Sequence, residues 1–166
     1  MSEFNIVLAS NESTVVSEYT PEGKRSDSYQ SEAELEKEFI KMLGEQGYEY
    51  ITIHTEGDLV TNLRTQLEKL NGYTFTDGEW KRFFENNIAN ANEGIVEKTR
   101  KIQTDHVQVL KRDDGTSKNI YLIDKKNIHN NFMQVINQYT EDGGKHDTRY
   151  DVTVLVNDLP LIHIEL

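Results

Sequence analysis

Apolar side chains recur at intervals of three and four residues in the segment after residue 30, which is the spacing of one face of an α-helix. The first such face comprises Leu35, Phe39, Met42 and Leu43. Ser31 and Glu34 have the spacing of a capping box, in which a hydroxyl and a carboxylate accept hydrogen bonds from unpaired N–H groups at the helix start. Gly47 follows this face, and glycine is the residue that most often ends a helix. We therefore expect a helix from residue 31 to 46, and then a strand over residues 48–54.

Three further helices are predicted by the same spacing. The second covers residues 58–70, with leucines on one stripe, and ends at Asn71-Gly72. The third begins at Thr76, which forms another box-like pair with Glu79. Its apolar face comprises Trp80, Phe83, Phe84 and Ile88. The fourth is shorter and covers residues 94–102.

The second half of the chain changes to the alternation of β-strands. Residues 106–111 and 119–123 flank a turn at Asp113-Asp114-Gly115, which predicts a hairpin. Residues 132–139 favour a strand, although a helix is also possible. A last hairpin joins residues 149–156 to residues 160–166. Helices followed by strands with mixed connections indicate an α/β or α+β fold with a mixed sheet flanked by helices.

Composition sets the limits on organisation and location. Residues 1–30 are polar, contain Pro21 and Gly23, and are predicted to form an N-terminal arm that precedes the N-terminal part of a domain, residues 31–166. Cysteine is absent, which excludes disulfides and thiolate metal sites. The sequence has neither a long apolar run nor the features of a signal peptide, so we expect a cytoplasmic protein.

The net charge of −11 bears on the choice of partner. Proteins that hold DNA by its phosphates usually present a basic face, so this charge argues against simple backbone binding. It leaves open an acidic protein-interaction module, or a mimic of DNA, with no catalytic role.

The last hairpin carries the candidate chemistry. Alternation places its valines and isoleucines on a core face, and Asp151, Thr153, His163 and Glu165 on the opposite face. Two carboxylates on neighbouring strands can hold Mg²⁺, which prefers oxygen ligands and keeps several waters. Asp151 and Glu165 are therefore the candidate metal ligands and catalytic acids. Two ordinary solvent-facing acids would give the same spacing.

Strand register imposes a condition on this site. If Val156 pairs with Leu159 across a two-residue turn, an unbroken ladder places Asp151 opposite residue 164, and Glu165 points to the other face. The site therefore requires a three-residue loop over residues 157–159 or a β-bulge, and we expect such an irregularity.

The ending of the chain resembles the nuclease motif of type I restriction enzyme R subunits (HsdR). The motif runs through Arg149–Val152, Leu155–Asn157 and Leu159–Leu166. The resemblance extends upstream, in order, through Ser28–Glu32, Leu70–Gly72, Glu79–Phe83, Lys98–Ile102 and Asn119–Asn127. It covers roughly residues 28–166, and this coverage is more specific than any single motif. The position of Asp158 is usually glycine in the family.

The resemblance implies an N-terminal endonuclease domain with a PD-(D/E)xK core and Mg²⁺-dependent phosphodiester hydrolysis. Asp151 and Glu165 would match its two acids, and its lysine would fall two positions beyond Glu165, outside this chain. We therefore expect a fragment without useful cleavage. Double-stranded DNA and the methyltransferase and specificity subunits are the implied partners. ATP would serve the full-length subunit, because no phosphate-binding loop motif occurs here.

Other residues are weaker candidates. In some nucleases of this superfamily a helix glutamate completes the metal site, so Glu34 or Glu38 could do so here, but helix capping and a solvated face explain both. His163 could contact substrate, although packing explains it as well. The basic side chains could meet DNA or a partner subunit, or could form solvated surface; they are Lys98, Arg100, Lys101, Lys111, Lys125 and Lys126.

Overall fold

The computed structural model describes residues 5–9, 14–17, 31–141 and 148–166. The chain divides into two compact units, Met1–Gln30 and Ser31–Leu166. In the first unit, β1 (Asn5–Ala9) and β2 (Thr14–Ser17) pair as antiparallel strands with a register shift between Ile6 and Leu8. These strands were not predicted, and the remainder of the expected arm lies outside the described residues.

The second unit contains the predicted helices and strands. Its helical segments are α1 (Glu32–Glu45), α2 (Glu56–Asn71), α3 (Asp77–Phe83), a π-helical turn (Phe84–Ile88), α4 (Ile95–Gln103) and a 3-10 turn (Ile128–Asn130). Its strands are β3 (Glu49–Tyr50), β4 (Val107–Lys111), β5 (Ser117–Tyr121), β6 (Met133–Glu141), β7 (Thr148–Val156) and β8 (Leu159–Ile164). The strand expected over residues 48–54 is thus limited to two residues.

Capping boxes define where the helices start. Ser31 with Glu34, and Thr76 with Glu79, form the reciprocal hydrogen bonds that the sequence predicted. A third box, Thr55 with Asp58, starts α2 two residues earlier than expected. Gly72 ends this helix in the left-handed conformation, with φ of 55°.

The strands form a mixed sheet and a separate hairpin. The sheet order is β3-β6-β7-β8, with β3 parallel to β6 and the other neighbours antiparallel. Strands β4 and β5 form the hairpin expected around Asp113-Asp114-Gly115. The mixed sheet that the sequence predicted is therefore confirmed, and residues 132–139 form a strand rather than a helix.

Helices cover the two faces of this sheet. On one face, Leu43 of α1 packs against Val135, Val152 and Val154. On the other, Asn62 of α2 donates a hydrogen bond to the Oε1 atom of Gln134, at 2.9 Å. Because Gln134 and Val135 are consecutive in β6, their side chains lie on opposite faces. A second core joins α2, α3 and the β4–β5 hairpin, and its buried members are Leu63, Leu67, Phe75, Trp80, Phe83, Leu110, Ile120, Leu122 and Leu159.

Four residues expected in the core are partly or largely exposed. Leu35 and Met42 are 40% and 47% exposed, so Phe39, Ile40 and Leu43 make the contacts of α1 with its core. Ile162 and Leu166 are 53% and 37% exposed. For Ile162 the reason is that β8 is the edge strand of the described sheet, so a neighbouring strand flanks it on one side only. Among the described residues, no helix is both long enough and apolar enough to span a membrane.

Glu79 joins α3 to the β4–β5 hairpin and is 2% exposed. Its carboxylate accepts hydrogen bonds from Tyr73 Oη at 2.8 Å and from the backbone N–H groups of Thr76 and Asp113, each at 3.1 Å. Burial opposes ionisation of Glu79, but these hydrogen bonds outweigh it and lower its pKa below the usual value.

We predict that Glu79→Gln destabilises the chain by about 1–3 kcal/mol, because an amide cannot accept all of these hydrogen bonds at once. The free energy of unfolding, from urea denaturation at pH 7, measures the loss. Glu85→Gln changes an exposed residue just after α3 and serves as the control. Equal stability of the two variants would contradict the role assigned to Glu79.

Candidate functional site

The turn of the β7–β8 hairpin has two residues, Asn157 and Asp158, with φ of 52° and 69°. Val156 pairs with Leu159 across it. Two positive φ values are the signature of a type I′ turn, which suits the right-handed twist of paired strands. The three-residue loop offered as one solution to the register condition is therefore wrong.

Asn157 fixes this turn to its surroundings and is fully buried. Its Oδ1 atom accepts a hydrogen bond from the Phe132 N–H at 2.8 Å. Its Nδ2 group donates to the Leu122 carbonyl and to Asn131 Oδ1, both at 2.9 Å. Because each polar atom of the amide is paired, the side chain holds the turn against the loop that precedes β6.

The second way to meet the register condition, a β-bulge, is present in β8. Leu155 pairs with Pro160, whereas Val154 pairs with Ile162, so Leu161 is an extra residue on β8. The extra residue shifts the pairing by one position beyond that point. Val152 consequently pairs with Ile164.

The shifted register brings Asp151 and Glu165 to the same level, one step beyond the last pair, Val152 and Ile164. Both members of that pair contact the core beneath α1, so alternation directs the two acids toward the opposite face. The Oδ2 atom of Asp151 accepts a hydrogen bond from the Leu166 N–H at 2.9 Å. This bond holds the Asp151 carboxylate next to the backbone that carries Glu165, which is exposed.

The β6 strand is distorted directly opposite Asp151. Gln138 has φ of 53°, and its side-chain amide lies 3.2 Å from the Oε2 atom of Glu36 on α1. Glu36 is 8% exposed and also accepts a hydrogen bond of 2.5 Å from Asn137 Nδ2. Glu36 is thus a buried acid of α1 that contacts β6 on the side of the sheet opposite to the one toward which Asp151 and Glu165 point, and sequence reasoning did not identify this contact. Its spacing of three, four and seven residues from the packed residues Phe39, Ile40 and Leu43 was the available signal.

Glu34 takes part in the N-terminal cap of α1. Its carboxylate accepts a hydrogen bond of 3.1 Å from the Ser31 N–H and completes the capping box of α1. Among the described residues, no three acids or histidines are grouped closely enough to hold a metal ion. Asp151 and Glu165 are therefore not joined by Glu34 in a three-ligand cluster.

His163 pairs with Thr153 across the ladder, two residues before Glu165, and is held by two contacts. Its Nδ1 atom is 3.0 Å from Thr153 Oγ1. Its ring stacks on Tyr150, with centroids 4.0 Å apart and planes inclined by 19°. Both packing and a substrate contact agree with this geometry.

Some of the basic residues take part in internal contacts. Lys101 forms an ion pair with Glu93 at 2.5 Å and donates to the Asn87 carbonyl at 2.7 Å. Lys125 donates to the Gln103 carbonyl. These two lysines help to attach α4 and the loop after β5, so their positions have structural explanations.

Asp158 is an acid buried at the turn, 4% exposed. Asn62 Nδ2 donates a hydrogen bond to its Oδ1 atom. Burial raises the pKa of this carboxyl to about 7, and the hydrogen bond from Asn62 only partly offsets that effect.

We predict that Asp158→Asn stabilises the chain more at pH 8 than at pH 5. The folded-state pKa lies above the unfolded value of 3.8, so the protonated carboxyl favours folding at low pH, and this contribution is lost as pH rises through about 7. The asparagine variant has no such loss, and its advantage at pH 8 should be on the order of 2–4 kcal/mol. Thermal melting at both pH values measures it.

Asp105→Asn, at an exposed position, is the control for the change in net charge. A gain for Asp158→Asn that is the same at both pH values would show that the buried carboxyl does not titrate in this range.

Comparison with known proteins gives a consistent family relationship. Residues 29–166 match the family model described as type I restriction enzyme R protein N terminus. The chain is 47% identical over 161 residues to the type I restriction enzyme EcoprrI endonuclease subunit of Escherichia coli, which covers 96% of this chain and 51% of that protein. It is 40% identical over 143 residues to the SsaAORF53P endonuclease subunit of Staphylococcus saprophyticus, covering 83% of this chain and 15% of that protein.

A Staphylococcus aureus relative, the SauMSSORF170P endonuclease subunit, is 37% identical over 144 residues. The chain thus spans about half the length of the E. coli relative, 51%, and 15% of the staphylococcal ones. The family match covers most of the chain and includes the whole β7–β8 hairpin with its bulge. The chain therefore belongs to the family of type I restriction enzyme R proteins, of which it represents the N-terminal region.

Proposed function

We propose that this chain forms the N-terminal part of the DNA-cleaving domain of the R subunit of an ATP-dependent type I restriction–modification enzyme. The observation that carries the proposal is the register of the β7–β8 hairpin, because the bulge at Leu161 brings Asp151 and Glu165 to one level. Two acids on adjacent strands at the end of a mixed sheet fit the PD-(D/E)xK nuclease core, to which we assign the fold.

The donor set fits Mg²⁺. Asp151 and Glu165 offer carboxylate oxygens, the ligands that this cation prefers, and Glu165 is open to solvent. A site with two protein carboxylates leaves the remaining coordination positions to water and to a phosphate oxygen. A bound Mg²⁺ would supply an activated water and neutralise charge that develops on the phosphodiester.

The residues of the chain prepare this site in advance. The hydrogen bond from the Leu166 N–H orients the Asp151 carboxylate before any ligand arrives. Asn157 fixes the turn, and Val152 and Ile164 contact the core on the reverse side. Side chains held in place by neighbouring contacts lose little freedom when a ligand binds, which favours a functional site.

Double-stranded DNA is the proposed substrate, and methyltransferase and specificity subunits are the proposed partners. The net charge of −11 argues against binding of the DNA phosphates by this chain alone. We infer that other parts of the assembly hold the DNA and deliver a strand to the two acids. ATP would be used elsewhere in the subunit.

The same charge favours a second candidate, an acidic interaction module or DNA mimic without metal chemistry. Such a module would bind a DNA-binding protein in competition with DNA, and its affinity would not depend on Asp151. Metal titration therefore separates the two candidates.

We predict that the chain binds Mn²⁺, used as a paramagnetic substitute for Mg²⁺, and that Asp151→Asn weakens this binding at least about 10-fold because one of two carboxylate ligands is lost. Electron paramagnetic resonance of free Mn²⁺ measures the affinity, and Asp105→Asn is the control. Equal affinities of all three proteins, or no binding at all, would favour the acidic module.

A second test addresses the register. Deleting Leu161 alone removes the extra residue of the bulge but leaves Asp151 opposite Glu165. Because both carboxylate ligands are retained, the Mn²⁺ affinity should stay within about 3-fold of that of the unaltered chain. Deleting Leu161 and Ile162 together shifts Glu165 opposite Val152 and turns it toward the core face, so binding should be lost. Circular dichroism checks that both variants fold. Loss of binding in the single deletion, or its survival in the double deletion, would show that the register does not create the site.

A further inference from the structure

His163 is an exposed imidazole held in one orientation. Exposed side chains generally sample several rotamers, and holding one costs conformational entropy. Here the stack on Tyr150, at 4.0 Å between centroids, and the contact with Thr153 Oγ1, at 3.0 Å, both restrict the ring. Thr153 is 2% exposed, so its hydroxyl is itself fixed within the sheet. The chain thus positions this ring from two sides although solvent reaches it.

The two contacts leave one ring nitrogen available. Nδ1 faces the Thr153 hydroxyl, and the Nε2 atom is on the other side of the ring. No described residue forms a hydrogen bond with Nε2. In a neutral imidazole one nitrogen carries the hydrogen and the other accepts. When the Thr153 hydroxyl donates to Nδ1, the hydrogen is on Nε2, which is then a donor without a partner among the described residues.

The location of the ring connects it to the two acids. His163 pairs with Thr153 across the ladder and stands two residues before Glu165, on the same face. Asp151 is the corresponding neighbour of Thr153 on β7. A ligand that meets both acids therefore passes within reach of the imidazole.

Charge shows what this donor contributes. The site has two carboxylates in a chain of net charge −11, and both repel a phosphodiester. A fixed N–H donor beside them offers a phosphate oxygen a favourable contact. Such contacts set the position of a nucleic-acid strand without reading its sequence.

We propose that His163 is a substrate-positioning residue whose Nε2–H donates a hydrogen bond to a phosphate oxygen of the nucleic-acid strand at the Asp151–Glu165 site. The inference rests on the proposed nuclease function. Thr153 and Tyr150 are the residues that hold the ring in place for this contact.

Nuclear magnetic resonance of the full chain, labelled with ¹⁵N-histidine, tests the proposal at pH 7.5. The ¹⁵N shifts of the free protein report the tautomer, and we expect the hydrogen of His163 on Nε2. A DNA duplex of random sequence is then added up to ~1 mM in the presence of excess Mg²⁺, which offsets the charge of the two carboxylates; this concentration exceeds the usual dissociation constants of non-specific binding by DNA-binding proteins. The His163 Nε2 resonance should move, whereas that of His129, an exposed histidine of the 3-10 turn, should not.

Two variants separate positioning from packing. Thr153→Val keeps the ring but removes its hydroxyl partner, and it should weaken the DNA-induced shift about 3-fold, the scale of one hydrogen bond. His163→Ala should weaken DNA affinity by about 5-fold while Mn²⁺ affinity stays unchanged. His129→Ala is the matched control.

The outcomes are distinct from those that test the metal site. The hydrogen on Nδ1, no DNA-induced shift of His163 at any duplex concentration, or equal DNA affinity of His163→Ala and His129→Ala would overturn the proposal even if Mn²⁺ binds. Absence of Mn²⁺ binding with a DNA-induced His163 shift would instead count against the nuclease function and retain the phosphate contact.

Discussion

Side chains on a β-strand alternate between the two faces of a sheet, and the rest of this site depends on that constraint. Five residues, 152–156, lie between Asp151 and the turn, whereas six, 159–164, lie between the turn and Glu165. With a two-residue turn, an unbroken ladder would direct the acids to opposite faces. The single extra residue at Leu161 corrects the mismatch, so the bulge sets the register of the proposed site although Leu161 supplies no ligand.

The surroundings of the hairpin keep this register in place. Asn157 satisfies all its side-chain hydrogen bonds within the protein, and Val152 and Val154 are buried beneath α1. A slip by one residue would expose those valines and leave the buried amide unpaired, and both changes are costly. Exposed residues of β8, such as Ile162, bury less surface and therefore contribute less to keeping this register.

Local signals made much of the fold predictable. Ser31 with Glu34 and Thr76 with Glu79 mark helix starts because the partners are three residues apart. The turn sequence Asp113-Asp114-Gly115 is also a local signal, and it marks the β4–β5 hairpin. Features that depend on residues far apart in the sequence were harder to predict from the sequence. Glu36 faces the sheet because it is hydrogen-bonded to Asn137 and Gln138, which lie 101 and 102 residues further along the chain. The two acids could be named from the sequence, and a bulge could be stated as a requirement, but its location at Leu161 depends on pairing energies along the whole hairpin.

In the proposed structure–function relationship, the bulged register creates a two-carboxylate cation site at the end of β7 and β8. Anomalous scattering from crystals of the chain soaked in Mn²⁺ would locate the ion without reference to activity. We expect an anomalous peak bound by carboxylate oxygens of both Asp151 and Glu165, at roughly 2.0–2.3 Å as for small divalent cations with oxygen ligands. A peak bound by only one of these acids, a peak elsewhere, or none would contradict it.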